Sequence, residues 1–374
     1  MNDRLVLSAP DIRDEDAALV LAALRSGTLS KGPYTARFEA AFADYVGAEH
    51  AVAVGSGTAG LHLCMRAAGV TEGAEVVTSP FAYVASANAV LYERATPVFV
   101  DIDETTMTID PALAADALTG RTRAVLPVHV FGQPSAMDEL AALCAGSGIS
   151  LIEDSCQALG SEYRGRRIGS GSEFAVFSFF PNKQMTTGEG AMVTCRDERH
   201  AELMRTLRNQ GVAKDGSGLV HDELGYNYRM TELSAALGVG QIGRIEEMLA
   251  MRERVAGWYR ERLEQVDGAA LLAPAPWTSR LSWFAAIARL APGIDRDRII
   301  ERLAASGVPA KGYFAPLHLQ PVYRSRFGYR EGDFPVTERV ARSTLALPFH
   351  NRMAEAQVDR VCEALGRAIA GGGA

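Results

Sequence analysis

The segment Phe177-Ser-Phe-Phe-Pro-Asn-Lys183-Gln-Met-Thr-Thr-Gly-Glu-Gly-Ala191 places one lysine in a turn that follows an apolar run. Its near neighbours are aromatic and small polar residues, and the closest acid in sequence is Glu189. A lysine partly withdrawn from water has a lowered pKa and can attack a carbonyl; a loop lysine without that setting is simply solvated. Ser150-Leu-Ile-Glu-Asp154 ends a second apolar run in two carboxylates. Burying a carboxylate is costly unless it meets a cation or hydrogen-bond donors. An aspartate facing a pyridinium nitrogen meets that need and makes the ring an electron sink; the plainer alternative is an aspartate that caps the next helix. Gly55-Ser-Gly-Thr-Ala-Gly60 follows a third apolar run and opens a helix-like stretch. Backbone N–H groups at such a helix start make a phosphate site, and a plain tight turn is the alternative. The loop also matches GxGxxG, but a dinucleotide site wants an acid about 20 positions on, at the end of the next strand. Glu75 begins that strand, which ends in Ser79-Pro80, so the dinucleotide signature is incomplete.

These groups need a scaffold that brings strand ends together. The strand candidates are Ala51–Gly55, Glu75–Ser79, Pro97–Asp101, Ala124–Val130, Ser150–Asp154, Phe174–Phe179 and Ala191–Cys195. Most are apolar throughout, as strands covered by helices on both faces are. Helix-like segments such as Thr58–Ala68 and Ala136–Gly146 lie between them. The pattern is α/β with a mainly parallel sheet, and in such sheets ligands sit outside the carboxyl ends of the strands. After Asn227 the character changes. Thr231 to Val266 is strongly helical, with Gly238 and Gly240 as weak points or close-packing sites. Beyond it come Pro-punctuated segments, a strand candidate at Trp283–Leu290 and helical stretches at Arg296–Ser306 and Ala354–Ile369. The expected division is a large domain over 1–245 and a smaller C-terminal domain over 246–374, with Gly371–Ala374 frayed.

Composition narrows the function classes. At 374 residues, 48% hydrophobic and 22% charged, the chain has the balance of a globular protein with a sizeable core. A net charge of -7 and a pI near 5.6, with no run of Lys or Arg, argue against a nucleic-acid partner. The first residues lack the apolar stretch of a secretory signal, and no stretch approaches the roughly 20 apolar residues of a membrane span. Cys64, Cys144, Cys156, Cys195 and Cys362 are scattered and form no CxxC pair, so neither a metal site nor a disulfide framework is expected. A reduced cytoplasm is the simplest home.

Taken together the motifs resemble those of the DegT/DnrJ family of PLP-dependent sugar aminotransferases, which share the aspartate-aminotransferase fold (fold type I). The resemblance runs from Gly27-Thr-Leu-Ser-Lys-Gly32 to Leu345-Ala-Leu-Pro348. Its most specific pieces are Ser-Phe-x-x-x-Lys with Gly-Glu-Gly behind it, Glu153-Asp-x-x-Gln-Ala158 and Gly225-Tyr-Asn-Tyr-Arg-Met230. Supporting pieces are Pro127-Val-His129, Pro97-Val-Phe-Val-Asp101 and Pro316-Leu-His318.

The resemblance implies a large domain with a mainly parallel central sheet, a smaller C-terminal α+β domain, and pyridoxal 5'-phosphate (PLP) held as a Schiff base on Lys183. It implies that Asp154 pairs with the pyridine nitrogen, that Gln157 lies near the ring oxygen, and that Gly57, Thr58 and Ser178 hold the phosphate. Tyr83 takes the place stacked on the ring, with core packing as its alternative. Asn227 reaches the phosphate from the partner subunit of a homodimer with shared active sites, or is an ordinary turn residue. Lys31, Arg229 and His318 are candidates for substrate contact, and Lys31, Arg208, Lys214 and Arg229 for a diphosphate. His129 is a cofactor contact or a satisfied core histidine, and Cys156 is small packing rather than a nucleophile. The implied reaction moves an amino group from an amino acid, by family analogy L-glutamate, to a keto-sugar carried on a nucleotide.

Departures from the family pattern fall outside the Schiff-base residues. Gly188-Glu-Gly-Ala191 has alanine where a third glycine is usual, Ser155-Cys156 replaces a pair of small residues, and Leu29 stands where an aromatic is often found. Rival readings are a relative acting on a cyclitol or another keto compound, a pyridoxamine-phosphate dehydratase (which would carry histidine at 183), a nicotinamide-dependent oxidoreductase built on Gly55–Gly60, and a non-catalytic PLP-fold sensor.

Overall fold

The computed structural model describes residues 4–213 and 220–371. Its main layer is a seven-stranded sheet made of β1 (His50–Val54), β2 (Glu75–Thr78), β3 (Thr96–Phe99), β4 (Thr122–Leu126), β5 (Ser150–Asp154), β6 (Phe174–Ser178) and β7 (Ala191–Cys195). The spatial order is β1-β7-β6-β5-β4-β2-β3. Strands β2 to β6 pair in parallel, and β7 alone reverses direction, antiparallel to both β6 and β1. Every residue of β2 and of β7 is buried, which is why these runs lack the alternation of a half-exposed strand.

Helices cover both faces. In chain order the first four are α1 (Asp14–Arg25), α2 (Pro33–Val46), α3 (Gly57–Ala67) and α4 (Ala85–Tyr92). Helix α3 and the helix Glu198–Leu207 share a core with Val52, Val54, Val176 and Val193 on one face. On the other, Phe38 and Phe42 of α2 pack with Ala51, Ala53 and Phe177. Helix α3 can lie against the sheet because residue 60 is glycine: a Cβ there would stand 2.8 Å from Val176 Cγ1 and 3.1 Å from Val193 Cγ2. Gly238 and Gly240 are likewise close-packing sites, since a Cβ would meet the Phe38 ring at 2.6 Å and Asp16 Oδ1 at 2.5 Å. The helix Glu232–Ile242 runs through both and ends at Gly243; Ile245–Leu263 begins a separate helix.

The second layer is an antiparallel sheet in the order Ala269–Leu271, Ala286–Leu290, Thr344–Leu347, Lys311–Gly312. It shares a core with Val255 and Tyr259 of the helix Ile245–Leu263, Leu303 of Arg296–Ala305 and Leu365 of Glu355–Ala370. The amino-terminal segment crosses to this layer: Leu5 joins its core, and Phe349 N–H donates to Leu7 O over 2.9 Å. Two strands have an end displaced by three residues or more from the bound expected from sequence. The fourth stops at Leu126 because the chain turns at Pro127 into a 3-10 turn, Val130–Gly132, with Phe131 at φ +59°. The strand sought from Trp283 begins at Ala286, since Trp283 itself sits at φ +51°. Of the tail expected to fray, Gly371–Ala374, residues 372–374 lie outside the described residues. Among the described residues no helix is long and apolar enough to cross a membrane, and no cluster of His, Cys, Asp and Glu could hold a metal ion.

Candidate active site

Strand β5 ends in adjacent carboxylates whose side chains leave opposite faces of the strand. Asp154 is buried, 6% exposed, and both of its oxygens are occupied. Oδ2 accepts from Ser86 Oγ at 2.6 Å and Oδ1 from the Cys156 N–H at 3.1 Å. Its backbone is pinned as well, donating to Pro127 O at 2.9 Å and accepting from His129 N–H at 3.0 Å. No helix follows for it to cap; residues 155–160 are turns.

Glu153 faces away. It accepts from Ser172 Oγ and lies 3.1 Å from His129 Nε2. Ser135 N–H donates to His129 Nδ1 at 3.0 Å, so the network assigns the ring proton to Nε2, which donates to Glu153. His129 is fully enclosed with both nitrogens used, a satisfied core histidine. A cavity of about 410 Å³ lined by Glu153, Arg167 and Ser172 opens on that side, apart from Asp154.

Lys183 stands in the turn after β6, with its N–H donating to Phe180 O at 2.9 Å. Its Nζ lies 4.5 Å from the centre of the Phe284 ring. Withdrawal from water lowers its pKa, while the nearby Cys156 and Asp154 pull it the other way. The next residue anchors the turn: Gln184 Nε2 donates to Gln157 O at 2.6 Å and to Ser282 Oγ at 2.8 Å. Burial, reinforced by Asp154, pushes the Cys156 thiol pKa well above the ordinary range, leaving a protonated, inert packing group.

The loop after β1 meets this pair. Ser56 caps α3 by accepting from Ala59 N–H at 3.2 Å, which leaves the N–H groups of Gly57 and Thr58 as those a helix start offers an anion. A Cβ at Gly57 would stand 3.1 Å from Cys156 Sγ and 3.4 Å from Ser178 Cβ. The absence of that Cβ lets the start of α3 lie close against Cys156 and Ser178, at the ends of β5 and β6. Lys183, Asp154, Gly57 and Ser178 are thus brought to one place. Gln157 borders it, its Oε1 accepting from Phe131 N–H at 2.7 Å. Tyr83, just before α4, is 64% exposed, so it is not a core residue. The buried aromatic of that segment is Phe81, packed on Phe131 and Phe314.

The remaining candidates lie apart. Asn227 is exposed on an extended segment along the free edge of β1, bridged to Asn209. Lys31 and Arg229 line a cleft of about 300 Å³ together with Arg205, Arg208 and Asn209. Within it Arg208 is committed to Glu39 and Ala53 O, and Arg229 to Asn209 Oδ1 at 3.1 Å. Lys214 lies outside the described residues. The Lys31 segment is fixed by buried Glu232, which accepts from Tyr34 N–H at 2.7 Å and Thr35 N–H at 3.0 Å. His318 is fully buried with Nε2 3.0 Å from Glu338 Oε1 and Nδ1 without a hydrogen-bond partner. Sequence reading passed over Ser86, Phe284 and Glu232. Ser86 sits inside the Phe81–Asn88 segment, yet nothing local in that segment points to Asp154.

Known proteins resemble this chain along nearly its whole length. Residues 10–366 match the DegT/DnrJ/EryC1/StrS aminotransferase family. The chain is 38% identical over 369 residues to the GDP-perosamine synthase of Caulobacter vibrioides, covering 98% of each. Among solved structures, DesV of S. venezuelae in complex with a ketimine intermediate superposes with a TM-score of 0.91 at 36% identity, covering 97% of this chain and 98% of that one. The PMP form of the sugar aminotransferase Spr1654 from Streptococcus pneumoniae, so described with the qualifier "putative", gives 0.94 at 28% identity over 98% of both chains.

Proposed function

We propose, from the premise that this chain belongs to the DegT/DnrJ/EryC1/StrS aminotransferase family and is a PLP-dependent aminotransferase, that it transfers an amino group from L-glutamate to a nucleotide-linked keto-sugar with its cofactor carried on Lys183. One observation carries the assignment of the site. A lysine of lowered pKa and a buried carboxylate held by two donors come together at adjoining strand ends, beside the helix start at Gly57. These residues fit the cofactor: a helix start for its phosphate, an acid for its ring nitrogen and an amine of lowered pKa for its aldehyde.

When bound, PLP supplies an electron sink for the carbanion left at the donor's α-carbon. The chain's own residues do the rest. Desolvation favours the uncharged form of Lys183, so its Nζ is a nucleophile and, once released, a base that takes the donor's α-proton and carries it onward. The carboxylate of Asp154, fixed by Ser86 and the Cys156 N–H, holds a proton on the ring nitrogen opposite it. Gly57 and Thr58 N–H groups and Ser178 Oγ would hold the phosphate, Gln157 would border the ring, and Tyr83, exposed in this structure, would stack on it. Asn227 completes the phosphate site of a second copy of the chain, making the enzyme a homodimer with shared sites in the cytoplasm.

For the acceptor's diphosphate, the cleft favours Lys31 and Arg229 over Arg208, whose guanidinium is already bound to Glu39 and Ala53 O. Enclosed on Glu338, His318 is the weaker substrate candidate. The relative named GDP-perosamine synthase supports a nucleotide-sugar acceptor. The test is an assay of 2-oxoglutarate formation from L-glutamate with a panel of GDP-, UDP- and dTDP-linked keto-sugars. Turnover with at least one of them is expected. Turnover with an unlinked keto compound alone would overturn the nucleotide link.

A further inference from the structure

One turn along α3 from Thr58, on the same face of the helix, His62 sits in a cluster that the transamination chemistry does not use. The ring is 5% exposed. Its Nε2 lies 2.6 Å from Glu93 Oε1 at the end of α4, and its Nδ1 lies 2.9 Å from Tyr228 OH. A neutral imidazole satisfies both contacts, with Nε2–H donating to Glu93 and Nδ1 accepting the Tyr228 hydroxyl proton. Burial lowers its pKa against the pull of Glu93, which agrees with that neutral form. Tyr226 packs on the ring at 4.7 Å and stacks on Tyr228 at 4.9 Å with an interplanar angle of 11°. Arg66, four residues on, lies 3.6 Å from Glu93 and 3.9 Å from Glu223.

The cluster grips a strap. Residues 226–229 are extended along the free edge of β1: Gly55 N–H donates to Tyr228 O at 2.8 Å, and Val54 is bridged to Arg229. Side chains of an extended segment alternate. Tyr226 and Tyr228 turn inward to His62, so Asn227 and Arg229 face the other way, and Asn227 is exposed. Helix α3 itself does not depend on this contact, because Leu61, Leu63, Cys64 and Met65 fix it in the main core.

We propose that His62 is a positioning residue for the strap: by clamping Tyr226 and Tyr228 it sets the place of Asn227 and Arg229, and through them completes the active site of the partner protomer. This rests on the reading that Asn227 serves a second copy of the chain. His62 touches no reacting atom and acts across the subunit boundary, so its loss should be felt in trans.

Hybrid dimers test this. Two differently tagged protomers are combined, one carrying Lys183→Ala and the other an intact Lys183, so that each dimer has one working site. With His62→Leu on the Lys183→Ala protomer, the working site is served by a loosened strap, and the concentration of PLP for half-saturation is expected to rise about tenfold, the scale of losing a hydrogen bond to a charged group. With His62→Leu on the other protomer, the rise should be clearly smaller. His62→Gln, which still donates and accepts, should restore most of the binding in the first hybrid. In the apoprotein, His62→Leu should speed amide exchange over 223–230 while leaving 198–207 unchanged. Asn227→Ala in the same two arrangements checks the underlying reading. If Asn227→Ala acts in trans but His62→Leu acts equally or more strongly in cis, or does nothing, the role of His62 is overturned while the shared site stands. If Asn227→Ala acts in cis, or no hybrid forms, the shared-site reading fails first.

Discussion

Ser86 Oγ donates a 2.6 Å hydrogen bond to Asp154 Oδ2, joining the first turn of α4 to the end of β5 across 68 residues of sequence. Both groups are buried. The hydroxyl fixes the orientation of the acid proposed to face the cofactor's ring, so on that proposal it bears on rate more than on binding of the donor. Ser86→Ala is expected to lower kcat about tenfold, the value of a hydrogen bond to a charged group, with little change in the KM for L-glutamate. Ser86→Thr, which keeps the hydroxyl, should retain most of the activity. Steady-state kinetics of the two variants check this, and a normal kcat for Ser86→Ala would remove the hydroxyl from the account.

Lys183 is held where its ammonium form is disfavoured, so it should weaken the fold that contains it. Its folded pKa is lowered, chiefly by burial. Below that value the ammonium is present in folded and unfolded chains alike and its desolvation counts fully against folding. As pH rises through the folded value towards the unfolded one, about 10.4, the penalty vanishes. Lys183→Met is therefore expected to abolish turnover yet raise the Tm of the apoprotein at pH 7, with the gap narrowing towards pH 10. Thermal melts at the two pH values test it; a lower Tm at pH 7 would contradict it.

Gly57 and Gly60 lie one turn apart but do different work. At Gly60 a Cβ would press on Val176 and Val193 inside the core, so Gly60→Ala should destabilise the protein by about 1–3 kcal/mol, as overpacking does. At Gly57 the new methyl would crowd Cys156 and Ser178 at the helix start. Gly57→Ala should weaken PLP binding while changing stability less. Denaturant melts of the apoproteins and PLP titrations separate the two effects.

Lys31 and Arg229 share a cleft beside the strap, and each should raise the KM for a nucleotide-linked acceptor when truncated. Lys31→Ala is expected to raise it about tenfold, with the KM for L-glutamate unchanged and the difference shrinking at high salt. An equal rise in both KM values would place Lys31 elsewhere.

How much of this was legible in the sequence depends on the range of the interactions. The central strands could be read because an all-apolar run between helical stretches has few other meanings, and Ser150–Asp154 and Ala191–Cys195 are found with those bounds. The reversal of β7 could not be read, because burial on both faces erases the pattern that would separate parallel from antiparallel pairing. The loop after β1, the acid that ends β5 and the lysine beyond β6 could be singled out because each stands at or soon after the end of its own strand. Their supports could not. Ser86 on Asp154, Phe284 against Lys183 and Glu232 on the start of α2 are contacts between distant segments with no local signature. His62 reads in sequence as one more residue on an apolar helix face, and only the fold brings Glu93 and Tyr228 to its two nitrogens. Trp283 shows the converse limit: an aromatic residue that suits a strand sits instead at φ +51° and delays the strand to Ala286.

The central claim is that Lys183 carries the cofactor and that an amino acid donor discharges onto it. An absorbance spectrum of the PLP-loaded protein, recorded before and after L-glutamate is added, tests it most directly. The account predicts a visible band from the lysine-linked cofactor that converts to the pyridoxamine form with glutamate, and no such lysine-linked band in Lys183→Ala. No visible band after PLP is supplied, or the same band in Lys183→Ala, would contradict it.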